Sequence, residues 1–346
     1  PHLYANTYKV GWDGNEEEYK RYLEKTFDET KVPVEVRDDD GPIVEPSYKA
    51  WWGVPDMPKV NFESKEARQW ALDVTKHWIE NFDIDGWRMD VAKELDFSFW
   101  KEFRDIAHKA NKDTLLISEI FGDTSQWLQG DRFDGTMNYS FREAMTDYFA
   151  TKRINNKEFA DSLANLYSMY SFEALSSCQN LLSSHDVKRF LNRCGNEEDG
   201  ILGAIFLQAT FPGIAGIYYG DEIGLGGADD PFNREPFPWH SEESWNSTIL
   251  DYTKKLMNIK KSSSIFKYGR FELLDDNEQF VAFRRILKDE SMLCIINRSK
   301  SNDDFNIISN AHSVNVIHGD CVANLDQGMI RVTNNSGNIG IILHEQ

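Results

Sequence analysis

Apolar residues recur with a helical period over 66–82, where Ala67, Trp70, Ala71, Val74, Trp78 and Phe82 share one face. The spacing predicts an amphipathic helix with that face turned inward and Ser64 as its N-cap. A short apolar strand pattern, 86–90, follows at once. From there the two periods alternate. A helix carries Phe97, Trp100, Phe103, Ala107 and Ala110; strands are expected at 114–119 and 133–138, helices at 141–151 and 157–170, and a strand at 180–186. An apolar helix at 200–211 leads to a strand at 214–219, a loop with Gly and Pro to about residue 243, and a last helix to about residue 261. Five strands alternating with helices predict an α/β fold whose parallel sheet is covered on both faces. In such folds ligands meet the carboxyl ends of the strands.

The texture differs at both ends. Residues 1–58 carry little periodic apolar content beyond a short helix pattern at 16–25. They include an acidic turn signal, Asp38-Asp39-Asp40-Gly41-Pro42, and close on Tyr48, Trp51 and Trp52. Beyond about residue 264, alternating runs at 279–284, 292–296, 315–317, 329–333 and 339–343 predict a small antiparallel β-domain.

Composition narrows the partners. A net charge of −19 would repel nucleic acid and an anionic membrane surface. No apolar run approaches the roughly 20 residues that span a bilayer. Four widely spaced cysteines, Cys178, Cys194, Cys294 and Cys321, make neither a disulfide framework nor a metal site and are expected to be reduced and buried. Ten Trp suit stacking on sugar rings, although most Trp serve the core. No signal peptide is seen, so a cytoplasmic location is expected; secretion stays open because the chain starts at Pro1 without Met.

The chemistry gathers at the strand ends. Arg88 and Asp90 are two apart on one strand and so face one side, and a cation beside a carboxylate favours the ionised form that a nucleophile needs. Alone, the pair reads equally well as a structural ion pair. Two further strands also end in acids, Glu119 and His185-Asp186. Three carboxylates around one rim suit glycoside hydrolysis, with two working acids and a helper. Glu119 has no Arg or Lys next to it in sequence, which makes it the better candidate for a raised pKa and the acid role. Other chemistries fit poorly. Gly224-Leu225-Gly226-Gly227 runs into Asp229-Asp230-Pro231, which would repel a phosphate. HExxH, a His/Cys cluster and a Gly-x-Ser-x-Gly elbow are all missing from the sequence.

The stretches DGWRMDVAKE, LLISEIFGD and LLSSHDVKRF resemble three signature stretches of the α-amylase family of glycoside hydrolases. MPKVNF at residues 57–62 resembles the stretch typical of its neopullulanase, cyclomaltodextrinase and maltogenic amylase subgroup; AWWGVPDMPKVN, FDGTMNY, GIYYGDEIG and DPFNREPFPW extend the match. The resemblance implies a TIM barrel, (β/α)8, followed by an antiparallel β-sandwich. It implies a retaining enzyme that cleaves α-1,4 links in cyclodextrins, pullulan, maltooligosaccharides or starch. By position, Asp90 would be the nucleophile, Glu119 the acid and base, and Asp186 the group that holds the sugar hydroxyls and stabilises the transition state. Arg88 would orient Asp90, and His185 would bind the sugar at the cleavage point. Lys93 and Glu94 would lie on the acceptor side, and Asp230 and Arg234 on the non-reducing side. Trp52 suits the substrate set as well as it suits a core. No cofactor is implied, and calcium gains no support because Glu94 stands where calcium-dependent α-amylases have His. A homo-oligomer of the full-length protein is left open.

The sequence departs from the subgroup at Phe121-Gly122, where Trp-His is usual, and at Lys93-Glu94, where Asn-Glu is usual. Both changes touch the acceptor side, so transglycosylation and α-1,6 cleavage stand as alternatives. An inactive fragment or glucan-binding scaffold is the alternative from another class. The family's barrel has eight strands, and the five read here match its last five; the earlier Asp and Asn-His stretch is not in this sequence. Five strands of a closed barrel would leave open edges. The chain is therefore expected to be part of a longer protein, with residues 1–56 a remnant of the insertion before strand four, 57–263 the barrel portion and 264–346 the β-domain.

Overall fold

The computed structural model describes residues 49–51, 54, 57–274, 279–302, 304–335, 337 and 339–346, and the backbone of 37–38 and 41–42. The helix pattern at 16–25, Asp39 and Asp40 of the acidic turn, Tyr48 and Trp52 lie outside the described residues. The chain falls into two units, Pro1–His77 and Trp78–Gln346.

In the first unit, Arg37–Asp38 pairs antiparallel with Gly41–Pro42, and Ala50 bridges Pro58. Helix α1, Lys65–Phe82, begins here, and the Ser64 hydroxyl accepts from the Ala67 amide at 3.3 Å. Its buried face is not the expected one. Leu72, Thr75 and Ile79 are buried, while Trp70, Trp78 and Phe82 are exposed, Trp70 by 63%. The two stripes lie about one residue apart around the helix, and the wider aromatic stripe stays outside.

The second unit holds five short parallel strands: β1 (Gly86–Met89), β2 (Leu115–Ser118), β3 (Gly135–Thr136), β4 (Gln179–Leu181) and β5 (Ile214–Gly216). β1, β2 and β3 pair in sequence order, as do β4 and β5, and a parallel bridge from Met137 to Gln179 joins the two groups. All five carboxyl ends therefore share one rim. Gly135 is obligatory for the join, because a Cβ there would sit 2.1 Å from the Ser177 carbonyl oxygen.

Local caps set the helices that follow the strands. Asp96 accepts from Phe99 N–H at 2.9 Å to start α2 (Phe97–Ala110), and Asn138 accepts from Phe141 N–H at 3.1 Å to start α3 (Tyr139–Met145). α3 runs on into a π turn at Thr146–Ala150. Asn155 and Glu158 make a reciprocal capping box at α4 (Asn156–Ser168). Short helices α5 (Phe172–Ser177) and α6 (Phe190–Arg193) flank β4, and α7 (Glu198–Thr210) is buried nearly all round. After β5 come α8 (Ser247–Ser262) and α9 (Ser264–Tyr268). Trp100 anchors the core beneath β1; it is 1% exposed and donates from Nε1 to the Ala92 carbonyl at 2.8 Å.

The C-terminal part is antiparallel. β6 (Arg270–Leu273), β7 (Val281–Leu287), β8 (Glu290–Ile296), β13 (Gly340–Glu345) and β10 (Val314–His318) form one sheet in that order. β9 (Phe305–Ile308), β12 (Met329–Asn334) and β11 (Cys321–Asp326) form another. Leu293, Ile295, Ile341 and Leu343 of the first sheet share a core with Phe305, Ile307, Ile330 and Val332 of the second. Arg285 ties β7 to the helices before it, donating to the carbonyls of Thr210, at the end of α7, Phe266 in α9 and Gly269. All four cysteines are free; Cys321 is half-buried rather than buried.

Candidate active site

Arg88 lies on β1, and Asp90 follows the strand's last residue. Its Nη1 reaches Asp90 Oδ1 at 2.5 Å, and its Nη2 reaches Glu119 Oε1 at 2.7 Å. One guanidinium thus holds both carboxylates on its fork. Its Nε donates to the Met137 sulfur at 3.3 Å, which fixes the plane of the fork from the tip of β3.

The chain turns sharply after Asp90. Val91 has φ 46° and ψ 43°, a left-handed conformation that costs a β-branched residue energy. The turn aims two successive amides at Glu119: Val91 N–H donates to Oε2 at 3.0 Å, and Ala92 N–H to the main-chain oxygen at 3.2 Å. Glu119 is therefore tied to the strand end that carries Asp90.

The two carboxylates sit in opposite surroundings. Asp90's side chain is 68% exposed and Glu119's only 6%. Burial pushes Glu119 up to about 7, against the Val91 amide and Arg88, which lower it; Asp186 and Asp90 add to the rise. The missing sequence neighbour is not the cause, because Arg88 reaches Glu119 through space and burial outweighs it. An exposed carboxylate beside a buried carboxyl group that holds its proton up to about 7 is the division of labour that acid and nucleophile need.

Asp186 is held separately. His185 Nε2 lies 3.1 Å from Asp186 Oδ2, and Arg234 Nη2 lies 3.8 Å from Oδ1. Arg234 also pairs with Asp230 at 3.0 Å. The structure thus gathers Arg88, Asp90, Glu119, His185, Asp186, Asp230 and Arg234 in two linked groups. Lys93 and Glu94 occupy the single turn Ala92–Glu94 just beyond Asp90, and Trp52 lies outside the described residues.

Several contributors were not expected from the sequence. Tyr139 at the start of α3 approaches Ser184 Oγ at 3.3 Å and stacks on Phe121, with centroids 3.8 Å apart. Its phenol is raised by burial and by the charges of Glu119 and Asp186, so it stays protonated and can donate. Phe121, two residues past Glu119, is an exposed ring on this rim. Asn233 is fully buried behind the Asp186 turn. The motifs FDGTMNY, LLISEIFGD and DPFNREPFPW contain Tyr139, Phe121 and Asn233, and Phe121 is one of the departures on the acceptor side, but the sequence assigns none of the three a role. Among the described residues no group of His, Cys, Asp and Glu is placed to hold a metal ion.

The model of the family "Alpha amylase, catalytic domain" matches residues 45–285. The chain is 39% identical over 246 residues to neopullulanase 2 of Thermoactinomyces vulgaris, which covers 70% of this chain and 42% of that protein. It is 37% identical over 256 residues to a cyclomaltodextrinase of Geobacillus thermopakistaniensis, covering 73% and 43%. The intracellular maltogenic amylase of Bacillus subtilis is 37% identical over 264 residues, covering 74% and 44%. The chain thus spans less than half the length of these curated relatives. Among solved structures, a debranching enzyme of Nostoc punctiforme superposes with a TM-score of 0.80 at 28% identity, covering 89% of this chain and 67% of that one.

Proposed function

Because the chain belongs to the alpha-amylase family, we propose that it carries the catalytic rim of a retaining glycosidase acting on α-glucans: cyclodextrins, pullulan, maltooligosaccharides or starch. The observation that carries this reading is the single guanidinium of Arg88 bridging an exposed Asp90 and a buried Glu119, whose carboxyl group burial pushes up to about 7. Retaining glycosidases keep their two carboxyl groups about 5–5.5 Å apart, whereas inverting ones need about 6.5–9.5 Å to seat a water. Two carboxylates on one fork suit the closer spacing.

In the proposed reaction Asp90 attacks the anomeric carbon while Glu119 gives its proton to the leaving glycosidic oxygen. A covalent glycosyl-enzyme forms on Asp90. Glu119, now ionised, takes a proton from an entering water, which releases the sugar and restores both groups. Asp186 holds the sugar hydroxyls and stabilises the positive charge that develops on the ring, and His185 binds the sugar at the cleavage point. Asp230 and Arg234 contact the non-reducing side, Lys93 and Glu94 the acceptor side, and Trp52 is a further candidate for the substrate set. Phe121, an exposed ring beside Glu119, favours one second reading, transfer to an acceptor sugar stacked on it.

The five parallel strands are proposed as the last five units of the family's eight-stranded barrel. Residues 1–56 would belong to an insertion, 57–263 to the barrel and 264–346 to a β-sandwich. A cytoplasmic location is proposed, supported by the name of the intracellular Bacillus subtilis relative. Products from maltotriose, pullulan and β-cyclodextrin, made by the protein at the full length its gene encodes, test the function. Hydrolysis with retained anomeric configuration, lost in Asp90→Asn, is expected. No turnover of any α-glucan, or undiminished turnover by Asp90→Asn, overturns the reading.

A further inference from the structure

We infer that Asn233 is a positioning residue for Asp186, and that through it the loop carrying Asp230 and Arg234 sets how well the transition state is stabilised. The inference rests on the glycosidase reading above, in which Asp186 acts on the reacting ring. Asn233 is 0% exposed and lies on the single turn Phe232–Arg234. Its one side-chain nitrogen faces three main-chain carbonyls: Ser184 at 3.3 Å, His185 at 2.9 Å and Val187 at 3.0 Å. These three residues surround Asp186 in sequence. A single amide group thus grips the backbone on both sides of the stabilising carboxylate.

The rest of the turn is only lightly held from its own side. Ser184 and Val187 make one isolated bridge, with Val187 N–H donating to the Ser184 carbonyl at 3.4 Å. Asp186 N–H donates to Ser184 Oγ at 3.2 Å. The donor-side loop supplies the stronger hold: besides Asn233, Arg234 Nε donates to the His185 carbonyl at 3.0 Å. The two loop residues thus act in concert, one on the backbone and one on both the backbone and the Asp186 carboxylate.

The site accepts a cost for this. Asn233 Oδ1 is buried with no hydrogen-bond partner among the described residues, which an apolar residue would avoid. Gly227 leaves the room for it: a Cβ at Gly227 would sit 2.6 Å from the Phe232 carbonyl oxygen and 2.9 Å from Asn233 Cα. Both are backbone atoms and cannot swing aside. Residues 227 and 233 therefore form a seat and a clamp for the Asp186 turn.

The consequence is specific. The ring charge that Asp186 stabilises is fully developed only in the transition state, so its misplacement lowers kcat more than it raises KM. Displacement of a group by about 1 Å costs about 100-fold in rate. Leaving-group chemistry belongs to Glu119, so an activated aryl leaving group does not repair the defect.

The test measures kcat and KM of Asn233→Ala, Gly227→Ala and Glu119→Gln in the full-length protein, with a maltooligosaccharide and with an aryl α-maltoside. Active sites are counted by covalent trapping, and folding is followed by thermal melting. Expected is a fall of about 100-fold in kcat for Asn233→Ala and Gly227→Ala on both substrates, with KM within about threefold. Glu119→Gln instead recovers kcat/KM on the aryl substrate, where the proton to the leaving group becomes dispensable, while its kcat stays limited by the unassisted attack of water. A kcat per active site equal to the unsubstituted protein's in Asn233→Ala overturns the proposal alone. So does recovery of Asn233→Ala on the aryl substrate, or failure of both Asn233→Ala and Gly227→Ala to fold at 25 °C. No α-glucan turnover by the unsubstituted protein overturns the glycosidase reading, and this proposal with it.

Discussion

Replacing Glu119 by Gln removes the one buried group whose ionisation the fold resists most clearly within the site. Burial raises its carboxyl from 4.5 to about 7. At about 1.4 kcal/mol for each factor of ten in proton affinity, the native state loses about 3 kcal/mol when Glu119 ionises. The sign follows from the direction. A carboxyl whose folded pKa exceeds its unfolded one binds its proton more tightly when folded. It therefore favours the fold at low pH, and that advantage disappears as pH rises from 4.5 through about 7. About 2 kcal/mol of the loss falls between pH 5.5 and pH 8, a range that avoids precipitation near the isoelectric point of 4.9. Gln does not titrate. The stability of Glu119→Gln relative to the parent should rise by about 2 kcal/mol from pH 5.5 to pH 8, whatever their difference at pH 5.5. Asp221, raised by burial to about 7, titrates alike in both proteins and cancels. Urea unfolding with reductant present, at both pH values, measures the difference. A gap between the two proteins that stays constant within about 0.5 kcal/mol would refute the argument that burial governs Glu119.

The same group controls activity, so kcat/KM should fall on the alkaline side with a midpoint near 7, and Arg88→Met should move that midpoint upward, read from pH–rate profiles. Gly135→Ala should destabilise by about 3 kcal/mol or prevent folding, since its Cβ would meet the Ser177 backbone at 2.1 Å; thermal melting detects this, and an unchanged midpoint contradicts the close approach of β3. Arg285→Met strips the carbonyls of Thr210, Phe266 and Gly269 of a buried donor and should cost about 3 kcal/mol in urea unfolding; a loss under about 1 kcal/mol would show that Arg285 does not join the β-domain to the helices before it.

Three strand ends were legible because their short apolar runs stop at a carboxylate, Asp90, Glu119 or Asp186, and parallel strands bring such ends to one rim. Arg88, Asp90, Glu119, His185 and Asp186 could be grouped from the strand pattern, whereas Asp230 and Arg234 came only from the family resemblance. Helix α1 was misread because large aromatics weigh more than Leu72, Thr75 and Ile79 in an apolar pattern, although those three are the buried ones. Helices α5, α6 and α9 are too short to show a period, and β3 and β5 pair over only two or three residues. Asn233 carries no local sign of its role. Its three acceptors lie far back in the sequence, and only the fold brings them together. Glu119 shows the same limit, since burial and a through-space cation determine its proton affinity.

The most direct test of the account is to trap the intermediate. A 5-fluoro-α-glucosyl fluoride or its maltosyl counterpart forms the glycosyl-enzyme quickly and hydrolyses it slowly. The full-length protein, digested and analysed by mass spectrometry, should carry one added glycosyl mass on the peptide containing Asp90 and lose it in Asp90→Asn. A label on Asp186 or Glu119, or steady turnover with inverted configuration and no label, would contradict the assignment of Asp90 as the nucleophile held by Arg88.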